Sequence, residues 1–261
     1  MTNKAVANFF IYSPPKTGST ALFYNLSEHP ETSHCDKKEP HFFSNGFHED
    51  KIVEYNSLFK FDSKLKFEAS TSYFVNKKAI VRVKEYCDNP KLIIVLRNPV
   101  DRFISEYKHF RAINIILNNE SLKNDFENSI NWKEVWLENT KTFKGISKNN
   151  HKSIQHIIKQ GIYVIHLKNI FDHIDQHNVL IINYNDYKNN FADTINKICS
   201  FLEIDSSHVK DNKIMNTTKE WQKWASVEDE ISTEMITDIE NFYRPYNQQL
   251  EEYLGVKFDW N

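Results

Sequence analysis

The chain has 261 residues, with 33 Lys and Arg against 35 Asp and Glu and a formal net charge of −2. That length supports one α/β domain with a sizeable core. No apolar run approaches the length needed to cross a bilayer, and neither a membrane nor a nucleic-acid partner is expected. Three cysteines, Cys35, Cys87 and Cys199, are too few and too scattered for a disulfide framework or a zinc site, so reduced thiols are expected, Cys35 as core packing.

The amino-terminal MTNKAVANFF runs straight into the first predicted strand without a cleavable leader, which makes a cytoplasmic protein the expectation. Strands are predicted at 9–13, 65–70, 91–97 and 178–184, and helices near 19–28, 76–87, 99–112, 150–171 and 229–254. Their alternation argues for a parallel sheet flanked by helices. Residues 113 to 149, rich in Asn, Lys and Glu, read as a lid or a solvated insertion. The abundance of Lys, Asn and Ile suggests an AT-rich bacterial genome.

Two stretches carry anion-binding chemistry. In FFIYSPPKTGST (9 to 20) the strand breaks at Pro14 and Pro15 into a short loop before a helix, whose unpaired first-turn N–H groups would face that loop. Lys16 adds a full positive charge, Gly18 allows close backbone approach, and Thr17, Ser19 and Thr20 offer hydroxyls. An ordinary strand-to-helix turn capped by Ser19 is the plainer alternative. A nucleotide-triphosphate loop would place glycine before the lysine, whereas here Lys16 precedes Gly18. Further on, KLIIVLR (91 to 97) reads as a strand buried on both faces, with Arg97 at its carboxyl end. Asn98 and Pro99 then open a helix with the apolar stripe Val100, Phe103, Ile104 and Tyr107. Arg97 is either a salt-bridge partner or a second anion site at the carboxyl edge of the sheet.

Together these stretches resemble the sulfotransferases that use 3′-phosphoadenosine-5′-phosphosulfate (PAPS), and within them the branch of heparan sulfate and other carbohydrate sulfotransferases. KEPHFFS (38 to 44) resembles that branch's acidic catalytic segment, and FEASTSYF (67 to 74) its ExTPxYF strand. QGIYVIHLKNIF (160 to 171) is similar to its GxYxxHLxxWL helix, NTTKEW (216 to 221) to its nucleotide-closing KTKGF loop, and LGVKFDW to its GxxFDW ending. The resemblance spans nearly the whole chain. It implies one sulfotransferase domain over residues 1–261, with the P-loop-like parallel sheet of that fold, the donor PAPS, the product 3′-phosphoadenosine-5′-phosphate (PAP), and no metal requirement. It assigns the 5′-phosphosulfate to Lys16, Thr17, Gly18, Ser19 and Thr20, the 3′-phosphate to Arg97 and Ser105, and nucleotide contacts to Tyr163, Thr218 and Lys219. Glu39 takes the place of the general base and His41 orients the acceptor or shares its proton, while Lys16 also faces the leaving oxygen.

Departures from the pattern bear on the acceptor. Ala69 stands where the branch carries lysine, Ser44 where it carries an acid, and Glu220 where its closing loop has glycine. A long polyanionic acceptor calls for a strongly basic cleft, and the net charge of −2 does not supply one. A small hydroxylated metabolite or natural product is therefore the expected acceptor, with glycan O- or N-sulfation as the alternative. Two rivals differ in class: a P-loop kinase, which would need an acidic strand end for magnesium, and a noncatalytic nucleotide-binding protein, which could dispense with Glu39. Oligomeric state is not legible.

Overall fold

A computed structural model describes residues 4–44, 46–112, 154–210 and 231–260, which divide into two compact units: Met1–Arg97 with Ile165–Met215, and Asn98–Val164 with Asn216–Asn261. The first unit holds five strands, β1 (Phe9–Ile11), β2 (Thr32–His34), β3 (Leu65–Glu68), β4 (Lys91–Leu96) and β5 (Val179–Asn183), all parallel and ordered β2-β3-β1-β4-β5. In β4 the residues Leu92 to Leu96 are all fully buried, as a strand covered on both faces requires. Register places Phe9 opposite Phe67, and their rings stack with centroids 4.5 Å apart. Helices α1 (Ser19–Ser27), α2 (Ile52–Asn56), α3 (Lys77–Tyr86), α7 (Tyr184–Asn189) and α8 (Phe191–Leu202) belong to this unit. One face of the sheet packs Phe9, Ile11, Phe67, Ile93 and Val95 against Leu22 and Leu26 of α1 and Ile195, Ile198 and Leu202 of α8. Cys35, Cys87 and Cys199 are free and buried, and burial pushes the Cys35 thiol up to about 12.

The four predicted strands are present but shorter. Edge strand β2 was not predicted, because its sequence Thr-Ser-His has neither an apolar run nor alternation. Helices α2, α7 and α8 also lie outside the predicted set.

The second unit contains α4 (Pro99–Ala112), α5 (Ile154–Gln160) and α9 (Thr233–Leu254), and α6 (Tyr163–Phe171) begins there and continues into the first. Pro99 opens α4 as expected, with the Asn98 side chain accepting the Val100 N–H at 2.9 Å. The helix predicted over 150–171 is broken at Gly161. The Tyr243 hydroxyl donates to the Ile158 carbonyl at 2.8 Å and passes so close that a Cβ at Gly161 would lie 2.7 Å from it. Arg102 is fully buried, and its two terminal guanidinium nitrogens donate to the Glu106 carboxylate and the Ile157 carbonyl. The carboxyl-terminal FDW is folded back by Glu251, which accepts the Phe258 N–H at 2.9 Å, and the Trp260 ring lies 5.8 Å from that of Tyr163. Among the described residues no helix is long and apolar enough to cross a membrane.

Candidate active site

Because all five strands are parallel, their carboxyl ends share one edge of the sheet, and β1 lies between β3 and β4. The loop after β1 is therefore flanked by the segments after β3 and β4. Ser13 ties it to β4: its buried hydroxyl accepts the Val95 N–H at 2.8 Å. Thr17 is buried, and its hydroxyl donates to the Pro14 carbonyl at 2.8 Å, which commits that proton to the shape of the loop.

Lys16 and Gly18 both adopt the left-handed region, with φ of 66° and 90°. Gly18 is the N-cap of α1, and no side chain caps that helix. The alternative of a turn capped by Ser19 is thus not what forms: Ser19 is the first helical residue. A Cβ at Gly18 would meet the Tyr184 ring at 3.0 Å. Arg97, immediately after β4, donates to the Lys16 carbonyl at 3.3 Å, and its guanidinium lies 5.0 Å from the centre of the Tyr184 ring. The two cationic residues singled out from the sequence thus meet at one loop.

The acidic segment follows β2. Glu39 Oε2 accepts from both the backbone N–H and the hydroxyl of Thr71, at 2.7 and 2.8 Å. Lys38 Nζ approaches Oε1 at 3.7 Å, and His41 Nε2 approaches Oε2 at 3.6 Å. The Lys38 side chain is only 13% exposed, and this burial lowers its pKa against the opposing pull of Glu39. His41 Nδ1 lies 2.8 Å from the Ser72 hydroxyl, and the His41 backbone N–H donates to Ser70 Oγ at 3.0 Å. Glu39 and His41 therefore form one constellation, held by Ser70, Thr71 and Ser72. Those three residues had no assigned role in the sequence; the signal available was the match of FEASTSYF as a segment.

Behind them lies Glu68, fully buried at the end of β3. It accepts from the hydroxyls of Tyr73 (2.7 Å), Tyr55 (3.1 Å) and Ser70 (2.6 Å). Burial raises its pKa, the three hydroxyl donors pull it back, and the result is about 7. Since an unfolded Glu titrates near 4.5, the folded state holds a proton that the unfolded state has lost between pH 4.5 and about 7. The stability this group contributes is full below 4.5 and is lost as pH rises through about 7. Urea unfolding across that range should show wild-type stability falling relative to Glu68→Gln; parallel curves would contradict the assignment.

The remaining candidates fall elsewhere. Ser105 is half-buried on α4 and Tyr163 is buried at the start of α6, both in the second unit. Thr218, Lys219 and Glu220, with residues 113 to 149, lie outside the described residues. Among the described residues no group of three or more His, Cys, Asp or Glu is placed to hold a metal.

Comparison with known proteins returns one family. The model of the sulfotransferase domain matches residues 7–250. Mouse heparan sulfate glucosamine 3-O-sulfotransferase 3A1 is 24% identical over 277 residues, covering 99% of this chain and 65% of its own length. The bifunctional heparan sulfate N-deacetylase/N-sulfotransferase 1 of Caenorhabditis elegans is 28% identical over 208 residues, 78% of this chain, and the match spans only 23% of that relative. Among solved structures, a sulfotransferase from Alicyclobacillus acidocaldarius superposes with a TM-score of 0.74 at 22% identity, covering 98% of this chain and 99% of that one. Mouse sulfotransferase SULT7A1 complexed with PAP gives a TM-score of 0.53 at 16% identity, covering 96% of this chain and 90% of that one. At these identities the structural likenesses establish the fold.

Proposed function

Since the chain belongs to the sulfotransferase domain family, we propose that it transfers a sulfuryl group from PAPS to a hydroxyl of a small metabolite or natural product, with Glu39 as the general base. The observation that carries this reading is the Glu39 carboxylate, anchored through Oε2 by two donors from Thr71, on the same unit whose sheet edge bears Lys16 and Arg97. A noncatalytic nucleotide binder would have no use for so constrained a carboxylate.

The loop fits the donor's phosphates. Gly18 presents backbone where a side chain would meet Tyr184, α1 begins without a side-chain cap, and Lys16 and Arg97 bring two cations to the same turn. PAPS, when bound, supplies an activated sulfuryl group. Lys16 and the first-turn N–H groups of α1 would hold the 5′-phosphosulfate and oppose the charge that develops on the leaving oxygen. Arg97 would hold the 3′-phosphate; the further nucleotide contacts of Ser105, Tyr163, Thr218 and Lys219 rest on the resemblance alone. Glu39 takes the acceptor's proton, and His41, held at Nδ1 beside Ser72, orients the acceptor from Nε2. As in phosphoryl transfer, placement of the reacting oxygens supplies most of the rate.

Support for a small neutral or cationic acceptor comes from the buried Ala69 and Ser44, at positions where the resemblance implies a lysine and an acid, together with the net charge of −2. The names of the curated relatives favour a second reading, O- or N-sulfation of a glycan. A panel of small alcohols, phenols, amines and heparan-type oligosaccharides incubated with PAPS and followed by mass spectrometry separates the two. The small-acceptor reading expects SO3 to be gained by neutral or cationic small hydroxylated compounds; gain by the oligosaccharides alone would replace it with the second.

Arg97 has its own test. PAP should bind wild type more tightly than the same nucleotide lacking its 3′-phosphate, and Arg97→Ala should nearly erase that difference, by about tenfold or more for one charge-assisted contact. Titration calorimetry with both nucleotides completes the cycle; equal discrimination in wild type and variant would make Arg97 structural.

A further inference from the structure

A buried carboxylate at the end of a strand is costly to keep, and Glu68 is kept with every proton around it aimed inward. An ionised carboxylate only accepts hydrogen bonds, and a hydroxyl carries a single proton. Above about pH 7, where it is ionised, Glu68 takes the protons of Tyr73 and Ser70 and so fixes both of those oxygens as acceptors on their outer side. Each then receives a backbone N–H of the loop after β2: Tyr73 O accepts from Phe43 at 3.0 Å, and Ser70 Oγ accepts from His41 at 3.0 Å. The third donor, Tyr55, makes no hydrogen bond to that loop through its hydroxyl; its ring stacks on Phe42, with centroids 4.4 Å apart.

The loop needs such support. His41 sits in the left-handed region at φ 56°, an uncommon conformation for a residue other than glycine. Its carbonyl accepts from the Ser44 hydroxyl at 2.7 Å, and Arg82 donates to the Phe43 carbonyl at 2.9 Å. These contacts close the loop, but they do not set its depth relative to β3. The two relays from Glu68 do, next to the point where Thr71 grips Glu39.

We propose that Glu68 is a positioning residue for segment 39–44, acting through the Tyr73 and Ser70 hydroxyls to hold His41, and with it the Glu39 carboxylate, in register with the end of β3. The proposal rests on the assignment of Glu39 as base.

Three variants test it. Tyr73→Phe and Ser70→Ala each remove a relay, whereas Tyr55→Phe removes a hydroxyl from the same carboxylate without touching the loop's backbone. Amide hydrogen exchange over 39–44 needs no acceptor. PAP release from PAPS in the acceptor panel gives turnover and the KM for the donor. Tyr73→Phe and Ser70→Ala should raise exchange in 39–44 about tenfold and lower turnover by a similar factor, the scale of one lost hydrogen bond, with the donor KM within about twofold of wild type. Tyr55→Phe should lose comparable thermal stability while keeping loop protection and turnover. Unchanged loop exchange in Tyr73→Phe, which keeps the ring and its packing, would overturn the proposal, as would a Tyr55→Phe variant that matched it in exchange and rate. A fully active Glu39→Gln enzyme would instead remove the base assignment, whatever the Tyr73 variant does.

Discussion

Glu39→Gln is expected to lower turnover by about a hundredfold or more while leaving PAP affinity and thermal stability near wild type, the usual scale for loss of a general base. The amide retains one oxygen, enough to accept the two Thr71 donors that anchor Oε2 in the native protein. What it loses is the second oxygen, now a nitrogen with no basic lone pair. Fold and position survive and the proton acceptor does not. His41→Ala should fall less steeply, since His41 reaches Glu39 only at 3.6 Å and half of its side chain is exposed. Initial rates and PAP binding on the same preparations check both variants. A near-normal rate for Glu39→Gln would move the base to His41.

Lys16→Ala is expected to abolish most of the stabilisation that PAP gives the wild-type protein. A ligand that binds only the folded state at about a hundred times its Kd contributes about 2.7 kcal/mol, a shift of several degrees in Tm. Lys16 supplies a full charge to a turn otherwise furnished by Arg97 and the uncapped start of α1. Its backbone is left-handed, so Lys16→Ala retains a β-carbon in the same conformation and isolates the loss of the ammonium. Thermal melts with and without PAP measure the effect. Equal PAP-induced shifts in wild type and variant would refute the placement of the phosphosulfate.

The loop proposed to bind the donor's phosphates was legible because its chemistry is local. Lysine, glycine and hydroxyls between an apolar strand and a helix describe a cradle whatever surrounds them, and Arg97 at the end of KLIIVLR follows from the rule that parallel sheets bind at their carboxyl edge. Glu39 was not legible in this sense: among Lys37, Lys38 and neighbouring polar residues it looks like a solvated charge, and only the family pattern singled it out. Glu68 had no local signal at all. Its partners are Tyr55, Ser70 and Tyr73, and the bonds they relay end at His41 and Phe43, so the network exists only once α2, the end of β3 and the loop after β2 have come together.

Similar reasons separate the elements found from those missed. Strand β4 announces itself by its unbroken apolar run, whereas β2 is held by pairing with β3 and has no hydrophobic pattern of its own. The stripe Phe191, Ile195, Ile198 and Leu202 at helical spacing was readable as α8, although it lies outside the predicted elements. The break at Gly161 depends on Tyr243, more than eighty residues away in the chain, and periodicity across QHIIKQGIYVIHL gives no sign of it.

The most direct test of sulfuryl transfer is a labelled-sulfur experiment. PAPS carrying labelled sulfur is incubated with the protein and the acceptor panel in the presence of a chelator, and both the label and the nucleotide are followed. The account predicts that the label moves to a hydroxylated acceptor in step with PAP formation, and that both slow by about a hundredfold or more in Glu39→Gln. Label that stays on the nucleotide, combined with magnesium-dependent hydrolysis of ATP, would contradict it and restore the kinase reading.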